Sequence, residues 1–499
     1  MIEQHLPVLP PVTLLFGSLL VAGIGVLNRK LAYPLALLSV LTACAFSLYG
    51  LVHVMTHGRI SYRLGGWVPP IGIEYVLDPL SAFIIAVIMV VALLVFIHSR
   101  TSVEHELSEK AVPFYSLAVL LLTGFTGMVV TGDLFNLYVF LEIASLAAYG
   151  LVAVGEKGAP VAAFRYLVLG AIGASFYLFG VGFLYIAGGS LNMADVATIL
   201  PLLPLDPSII AGLVLIVLGI GIKMALFPLH GWLPDAYTLA PSTASALLAP
   251  IGTKVSAYVM IRVLFFVVGP AIARDQLPLT ELIGWLSAAG ILFGSVMAIA
   301  QKELKRMLAY SSVAQIGYIG LGIGLANPLG FIGAVLHILN HAVMKACLFL
   351  VAGNLRMRVG HSEIPLFNDS LRRTMPWSMA AFTVAALSMI GLPPTAGFFS
   401  KWYLVLAAIE RSEWVFVATI LLSSLLNAVY FFRVLEKVYL RSGGESSETQ
   451  SGEPVETRND VGGMMLVPTL VLAIGILLLG VFNAVIVDSI IKFAIPGGL

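Results

Sequence analysis

The chain has 499 residues, of which 59% are hydrophobic and 11% are charged, and its formal net charge at pH 7 is +1. Soluble domains carry about 25% charged residues, so this composition excludes an ordinary soluble protein. The near-neutral charge also argues against a nucleic-acid partner, and the sequence predicts an all-α polytopic membrane protein.

Apolar segments long enough to cross a hydrocarbon core of about 30 Å follow one another along the chain. We predict fourteen transmembrane helices, at 8–27, 32–54, 78–97, 112–130, 134–153, 162–186, 209–227, 242–268, 279–300, 308–325, 328–353, 376–406, 414–435 and 464–487. The N-terminal segment is predicted to be a retained span, because its basic pair follows the apolar run. The Ser-, Gly- and Glu-rich segment 441–460 is predicted to be a flexible cytoplasmic loop.

Lysine and arginine are distributed unevenly over the predicted loops. Seventeen of the 27 lie in one set of alternate loops, and five lie in the opposite set together with the C-terminus. Cytoplasmic loops hold the excess of positive charge, so both termini are predicted to lie on the extracytoplasmic side of the cell membrane. The other five lie inside predicted helices: Lys223, Lys254, Arg262, Lys345 and Lys401.

Ionisable side chains within the predicted spans are the main functional signal. A charge at the centre of a membrane helix costs about 2.5 to 3.5 kcal/mol, so it is kept when it is paired, hydrated or used. Five residues meet this description: Glu142, Lys223, Lys254, Lys345 and Lys401. One such residue alone could be structural, but five together indicate function. Arg262 lies near the outer end of its span and is predicted to extend to the interface.

The stretch HILNHAVMK places His337, His341 and Lys345 four residues apart, on one face of a helix. Histidine exchanges protons near neutral pH, and lysine does so when it is buried. We therefore predict a proton path along this face. No acidic or thiolate ligand joins the three residues, and Cys44 and Cys347 lie outside any Cys/His cluster, so neither a metal nor a cofactor is predicted.

Prolines interrupt two of the predicted spans. They are Pro228 and Pro234 in the seventh span and Pro393 and Pro394 in the twelfth. Irregular backbone at membrane depth is tolerated where it is buried in protein or lines a wet cavity, and paired breaks indicate an inverted-repeat transporter. Lys223 precedes the first break and Lys401 follows the second; plain kinks between packed helices are the alternative. His230 lies in the first break, where it could carry protons or fix the backbone.

Four long stretches resemble the signature sequences of one family of membrane proteins. They are KMALFPLHGWLPDAYTLAPSTASALLAPIGTK, QKELKRMLAYSSVAQIGYIGLGIG, LNHAVMKACLFLVAGN and LPPTAGFFSKW. The family is that of the proton-translocating, antiporter-like subunits of Mrp cation/proton antiporters, respiratory complex I and membrane-bound hydrogenases. The resemblance implies N-terminal helices 1–3 within residues 1–111, inverted five-helix repeats at 112–268 and 279–435, broken helices 7 and 12, and a fourteenth helix at 464–487.

The resemblance also implies the roles of the buried residues. Glu142 corresponds to the fifth-helix glutamate, Lys223 and Lys254 to the seventh- and eighth-helix lysines, and Lys401 to the twelfth-helix ionisable residue, while His337, His341 and Lys345 fall on the connecting polar axis. The implied partners are protons and other membrane subunits, with Na⁺ or K⁺ as candidate coupled ions and no cofactor.

Several assignments are open at this point. DLFNLYVFLEIASLAAYG is most similar to the D subunit of Mrp antiporters, which makes an Mrp-type Na⁺/H⁺ antiporter subunit the leading prediction. A proton-pumping subunit of complex I or of a hydrogenase is the alternative, and the chain would then be part of an oxidoreductase. A quinone-binding redox subunit, a structural scaffold and a solute carrier are weaker alternatives, since no cysteine cluster or nucleotide-binding glycine motif is present.

Overall fold

The computed structural model describes residues 3–155, 157–441 and 460–499. Within these ranges, twelve segments are long and apolar enough to cross a membrane, judged by length and composition. The predicted all-α polytopic fold is therefore confirmed, with the addition of a small antiparallel hairpin of strands β1, Ile60–Arg63, and β2, Glu74–Leu77. All of the predicted loop 441–460 except its two end residues lies outside the described ranges.

The helices follow the predicted order. They are α1 Leu9–Leu27, α2 Ala32–His57, α3 Pro79–Leu107, α4 Ala111–Val130, α5 Leu134–Ala153, α6 Ala159–Gly188, α7 Met193–Ile199, α8 Pro207–Met224, α9 Leu233–Leu239, α10 Ser242–Leu247, α11 Thr253–Arg262, α12 Leu279–Ala300, α13 Leu304–Leu325, α14 Pro328–Val359, α15 Ser370–Thr374, α16 Pro376–Ile390, α17 Ala396–Glu410, α18 Trp414–Tyr439, α19 Gly463–Val481 and α20 Asn483–Ser489. The number of crossings and the two inverted repeats stay predictions.

Helices that carry predicted site residues begin at capping side chains. Asp133 accepts a hydrogen bond from a first-turn N–H of α5 at 2.7 Å, Asp206 does so for α8 at 2.9 Å, and Asn327 does so for α14 at 2.9 Å. Each cap satisfies a backbone donor that has no partner within the helix. The caps thereby fix where each helix starts, and so which face each later residue occupies.

Two helices form the centre of the bundle. In the most apolar window of α14 every residue is buried, and in that of α13 89% are buried, against 39% for α1 and α19. Small residues allow close packing around α13: a Cβ added at Gly324 would lie 2.4 Å from the Cα of Gly284 on α12. The predicted proton path on α14 therefore runs through the most enclosed part of the molecule.

The first helix break begins earlier than the prolines suggested. Helix α8 ends one residue after Lys223, Ala225 adopts a left-handed conformation with φ of 60°, and helical structure resumes in α9. The indole Nε1 of Trp232 donates to the carbonyl oxygen of Ile222 at 2.8 Å, which ties the returning chain to the end of α8. The break is thus an ordered structure that fixes the end of the helix carrying Lys223.

Other segments also depart from the predicted spans. The predicted span 376–406 is divided into α16 and α17, with Gly391 in a left-handed conformation between them. The predicted span 464–487 is divided at Phe482 into α19 and α20. The predicted span 242–268 contains π-helical turns at Leu248–Gly252 and Val263–Val267. Such turns are rare and frequently occur at functional sites.

Candidate functional site: a line of buried ionisable residues

Glu142 and Lys223 meet between α5 and the end of α8. Lys223 Nζ lies 3.9 Å from Glu142 Oε1, and it donates hydrogen bonds to Ser145 Oγ at 2.7 Å and to the Tyr149 hydroxyl at 3.3 Å. The three α5 residues are spaced i, i+3 and i+7, so they face Lys223 from one side of their helix. The Lys223 side chain is 7% exposed, whereas that of Glu142 is 29% exposed.

A small cavity lies beside Lys223. Its volume is about 30 Å³, and Ser256 and residues of the π-helical turn Leu248–Gly252 line its other walls. A space of this size accommodates roughly one or two water molecules. Within that turn, the carbonyl oxygen of Ala249 accepts a hydrogen bond from Lys254 Nζ. The cavity therefore separates the surroundings of Lys223 from those of Lys254 by no more than a short hydrated gap.

Lys254 connects this first pair with α14. Its side chain is buried, and Thr253 Oγ1 is a second acceptor for its ammonium at 3.2 Å. The π-helical turn before it packs against α14, and the charge of Lys254 acts on both His341 and Lys345. The structure thus brings the eighth-helix lysine to the proton path predicted from HILNHAVMK.

His337 and His341 lie on the buried face of α14, with their ring centroids 5.8 Å apart. His337 is held at both ends: Nδ1 lies 2.9 Å from Ser400 Oγ, and Nε2 lies 3.0 Å from Gln315 Oε1. His341 differs, because neither ring nitrogen has a hydrogen-bond partner among the described residues although the ring is fully buried. Buried polar atoms normally have a partner in protein or ordered water, so His341 marks a place for water on the line.

Lys345 lies at the other end of the α14 face. Its ammonium donates to the Leu308 carbonyl oxygen at 2.6 Å and to Ser311 Oγ at 2.5 Å, both on α13. Among the described residues, no carboxylate oxygen lies within 4.0 Å of this ammonium. An isolated buried ammonium is expensive, so Lys345 is more consistent with a proton-exchanging group than with a structural ion pair.

Lys401 lies directly after the second break and reaches back across it. Its ammonium donates to the last carbonyl oxygens of α16, those of Met389 and Ile390, each at 3.0 Å, and to Ser424 Oγ at 3.2 Å. The C-terminal end of a helix carries partial negative charge, which favours a cation there. The preceding residue, Ser400, contacts His337, so Lys401 adjoins the end of the α14 line.

Two predicted residues lie apart from this line. His230 packs against the rings of Phe227 and Phe293, with centroids 5.5 and 5.0 Å away, and the structure does not bring it to Lys223. Arg262 does not extend freely to the interface as predicted; both of its terminal nitrogens donate to Asp78, at 2.6 and 2.8 Å. Arg262 is therefore one half of a largely buried ion pair at the start of α3.

Sequence reasoning misses the neutral partners and one lysine. The neutral partners are Ser145, Tyr149, Ser311, Gln315 and Ser400. The spacing of Ser145 and Tyr149 from Glu142 is a usable signal for the first two. Lys305 falls in a predicted loop, but it is 2% exposed and its ammonium donates to the Ala240 carbonyl oxygen at 2.6 Å. Across the described residues, no group of three or more His, Cys, Asp or Glu side chains could hold a metal.

Comparisons with known proteins give the same picture of the chain as a whole. Residues 131–427 match the family described as NADH:quinone oxidoreductase/Mrp antiporter, TM. The chain is 47% identical to the N subunit of the NADH-quinone oxidoreductase of Desulforudis audaxviator, over 99% of both chains. It is 31% identical to the D subunit of the Na⁺/H⁺ antiporter of Alkalihalophilus pseudofirmus, over 87% of this chain and 85% of that one. Its fold matches a protein of the Mrp complex from Dietzia sp. DQ12-45-1b with a TM-score of 0.87 at 24% identity, covering 99% of this chain and 97% of that one.

Proposed function

The chain belongs to the NADH:quinone oxidoreductase/Mrp antiporter family of membrane subunits, and from that premise we propose that it translocates protons within a multisubunit membrane complex. The observation that carries this proposal is the buried line of ionisable side chains. It runs from Glu142 and Lys223 through Lys254 and the α14 face to Lys401. A scaffold would have no need to retain several buried ammonium groups without carboxylate partners.

The first proposed step is release of a proton from Lys223. The charge of Glu142 favours the ammonium form of Lys223, and removal of that charge, or repulsion from a neighbouring site, favours the amine. The released proton crosses the adjoining cavity to Lys254. Lysine suits this role because burial makes its proton exchangeable, whereas arginine stays charged.

The second proposed step carries the proton along α14. Lys254 acts on His341 and Lys345 at the middle of the line, and His337 adjoins Lys401 through Ser400. Because neutral histidine has one donor and one acceptor nitrogen, it can accept a proton at one end and release another at the other end.

The type of complex is the finer part of the proposal. The sequence stretch around Glu142 favours the D subunit of an Mrp-type Na⁺/H⁺ antiporter. The fuller and closer similarity to the N subunit of an NADH-quinone oxidoreductase supports the alternative, a proton-pumping subunit of a redox-driven complex. We propose the redox-driven type first and the Mrp type second. Transport in vesicles of the assembled complex separates them: a quinone-linked donor drives flux in the first type, and a Na⁺ or K⁺ gradient drives it in the second.

The central test is Lys223→Arg in the assembled complex, reconstituted into vesicles that hold a pH-sensitive dye. The variant keeps the charge but does not release the proton, so proton flux should fall by on the order of 10²-fold. The matched control is Lys110→Arg, at an exposed lysine between α3 and α4. Normal flux in Lys223→Arg, with assembly intact, would reject proton transfer through this residue.

A further inference from the structure

We propose that a cavity at the Lys/Arg-rich face, together with Glu106 and the buried Lys305, forms the entry site through which protons reach the α14 line. This inference rests on the proposed function and adds to it a site for proton uptake. The cavity, here called the entry cavity, has a volume of about 390 Å³, and its lining includes His105, Glu106, Pro241 and Arg356.

Glu106 and Lys305 approach the same turn of backbone from two sides. Glu106 Oε2 accepts a hydrogen bond from the Ser242 backbone N–H at 3.0 Å, and Lys305 Nζ donates to the Ala240 carbonyl oxygen at 2.6 Å. These two backbone groups belong to the residues immediately before and after Pro241, which lines the entry cavity. A carboxylate in the cavity wall and a buried ammonium are therefore separated by a single residue of backbone.

Lys305 is buried without a close ion-pair partner. Among the described residues, no carboxylate oxygen lies within 4.0 Å of its ammonium, and the negative charges that act on it are those of Glu303 and Glu106. Glu303 is already occupied, because its oxygens accept hydrogen bonds from two backbone N–H groups at the start of α13 and from Ser362. Glu106 is thus the carboxylate available to exchange protons with Lys305.

The wall between them contains unpartnered hydroxyl groups. The side-chain oxygens of Ser242 and Thr243 are buried and have no hydrogen-bond partner within the part of the chain that the structure describes. Buried hydroxyls are normally satisfied by protein or water. These two positions therefore provide sites for water between the entry cavity and the interior.

Lys305 also lies in line with Lys345. The two groups on α13 that accept hydrogen bonds from Lys345 belong to Leu308 and Ser311, three and six residues after Lys305. At about 1.5 Å per residue, they lie roughly 4.5 and 9 Å further along the helix axis. Lys305 is therefore the end of the line nearest to the entry cavity.

The proposed proton transfer balances at each step. Glu106 takes a proton from water in the entry cavity and becomes a carboxylic acid. It then protonates the neutral amine of Lys305, which leaves a carboxylate and an ammonium. The Lys305 ammonium passes a proton through water or hydroxyl groups to the neutral amine of Lys345, and Glu106 is free to take up the next proton.

The first test is Lys305→Arg in the assembled complex, with Lys302→Arg as the matched control, because Lys302 is the exposed lysine of the same turn. Arginine can still donate to the Ala240 carbonyl oxygen but does not release a proton. We expect a fall in flux of on the order of 10²-fold with unchanged thermal stability. Wild-type flux in Lys305→Arg, together with lost flux in Lys223→Arg, would overturn the entry site alone; wild-type flux in both would overturn the proposed function.

The second test is Glu106→Gln, which keeps the acceptor for Ser242 but cannot exchange a proton. The charged and titratable groups around Glu106 are His98, His105, Lys305 and Arg356. We expect the variant to change the dependence of flux on the pH at the Lys/Arg-rich face and to leave the dependence on the opposite face unchanged. This test also decides the matter if Lys305→Arg fails to assemble. An unaltered pH dependence at the Lys/Arg-rich face would overturn the proposal.

Discussion

Lys223 Nζ lies 3.9 Å from Glu142 Oε1, close enough for charge attraction and too far for a direct hydrogen bond. Glu142 Oε1 is buried and accepts no hydrogen bond from the residues that the structure describes. The ammonium is instead held by Ser145 Oγ at 2.7 Å. Release of a proton from Lys223 therefore requires no hydrogen bond to Glu142 to be broken, and the attraction between the two charges alone sets the balance.

The hydroxyl of Ser145 should consequently control transport. In Ser145→Ala, Lys223 is free to move to Glu142 and form a direct ion pair, which stabilises the ammonium. A hydrogen bond to a charged group is worth about 1.5 to 3 kcal/mol, so we expect proton flux to fall by about tenfold or more. Dye-based flux in vesicles of the assembled complex measures the effect.

The control for this prediction is Ser145→Thr, which keeps the hydroxyl and should retain most of the flux. A second control is Thr42→Ala, at a partly exposed hydroxyl that bonds within its own helix. Equal flux in Ser145→Ala and in the wild type would show that Ser145 does not position Lys223.

The ionisable members of the line could be predicted because a charge stands out within an apolar segment. Lys223 and Lys401 are recognisable from one dimension alone. Their neutral partners are not, because serine and glutamine are common in membrane helices and only tertiary packing decides which of them meet. Gln315 and Ser400, for example, come from α13 and α17 and converge on His337.

Lys305 escapes prediction for a related reason. It lies in QKELKR, where charges are abundant and a loop is the simplest interpretation. Its burial depends on the end of α9, which packs over the start of α13 and leads to the carbonyl oxygen of Ala240. Nothing local in the sequence specifies that contact.

The position of the first break could have been predicted more closely. A proline has no N–H for the carbonyl group four residues earlier, and its ring clashes with that carbonyl. Pro228 therefore ends the helix at Met224, as α8 shows. The π-helical turns and the hairpin of β1 and β2 have no comparable local signal, because each depends on packing between distant segments.

The ion pair of Asp78 with Arg262 should contribute to stability in a pH-dependent way. Burial raises the pKa of Asp78, but the charge and hydrogen bonds of Arg262 outweigh that effect and lower the pKa to about 2. The carboxyl pKa in an unfolded chain is about 3.9. The folded-state pKa is the lower of the two, so the contribution of Asp78 is present above about pH 4 and is lost as the pH falls towards 2.

We therefore expect Asp78→Asn to lower the free energy of unfolding by about 3 to 5 kcal/mol at neutral pH, because it leaves the largely buried Arg262 without its partner. Asparagine still caps α3, so loss of the cap does not explain the effect. The difference between variant and wild type should narrow from pH 4 to pH 2, and thermal unfolding of the detergent-solubilised proteins measures it. A difference that stays constant over this range would contradict the proposed ion pair.

The close contact between the two halves of the second broken helix leads to the last prediction. A Cβ at Gly397 on α17 would lie 2.0 Å from the Ser388 carbonyl oxygen on α16, so Gly397→Ala must push the halves apart. Overpacking of this kind costs about 1 to 3 kcal/mol. The shift would also separate Lys401 from the last carbonyl oxygens of α16, so flux should fall together with the unfolding temperature. The matched change is Gly182→Ala on α6, where no atom lies within 4 Å of the added Cβ and where alanine should stabilise the helix by about 0.5 to 1 kcal/mol. Equal unfolding temperatures and equal flux for the two variants would show that α16 and α17 do not depend on this contact to hold Lys401.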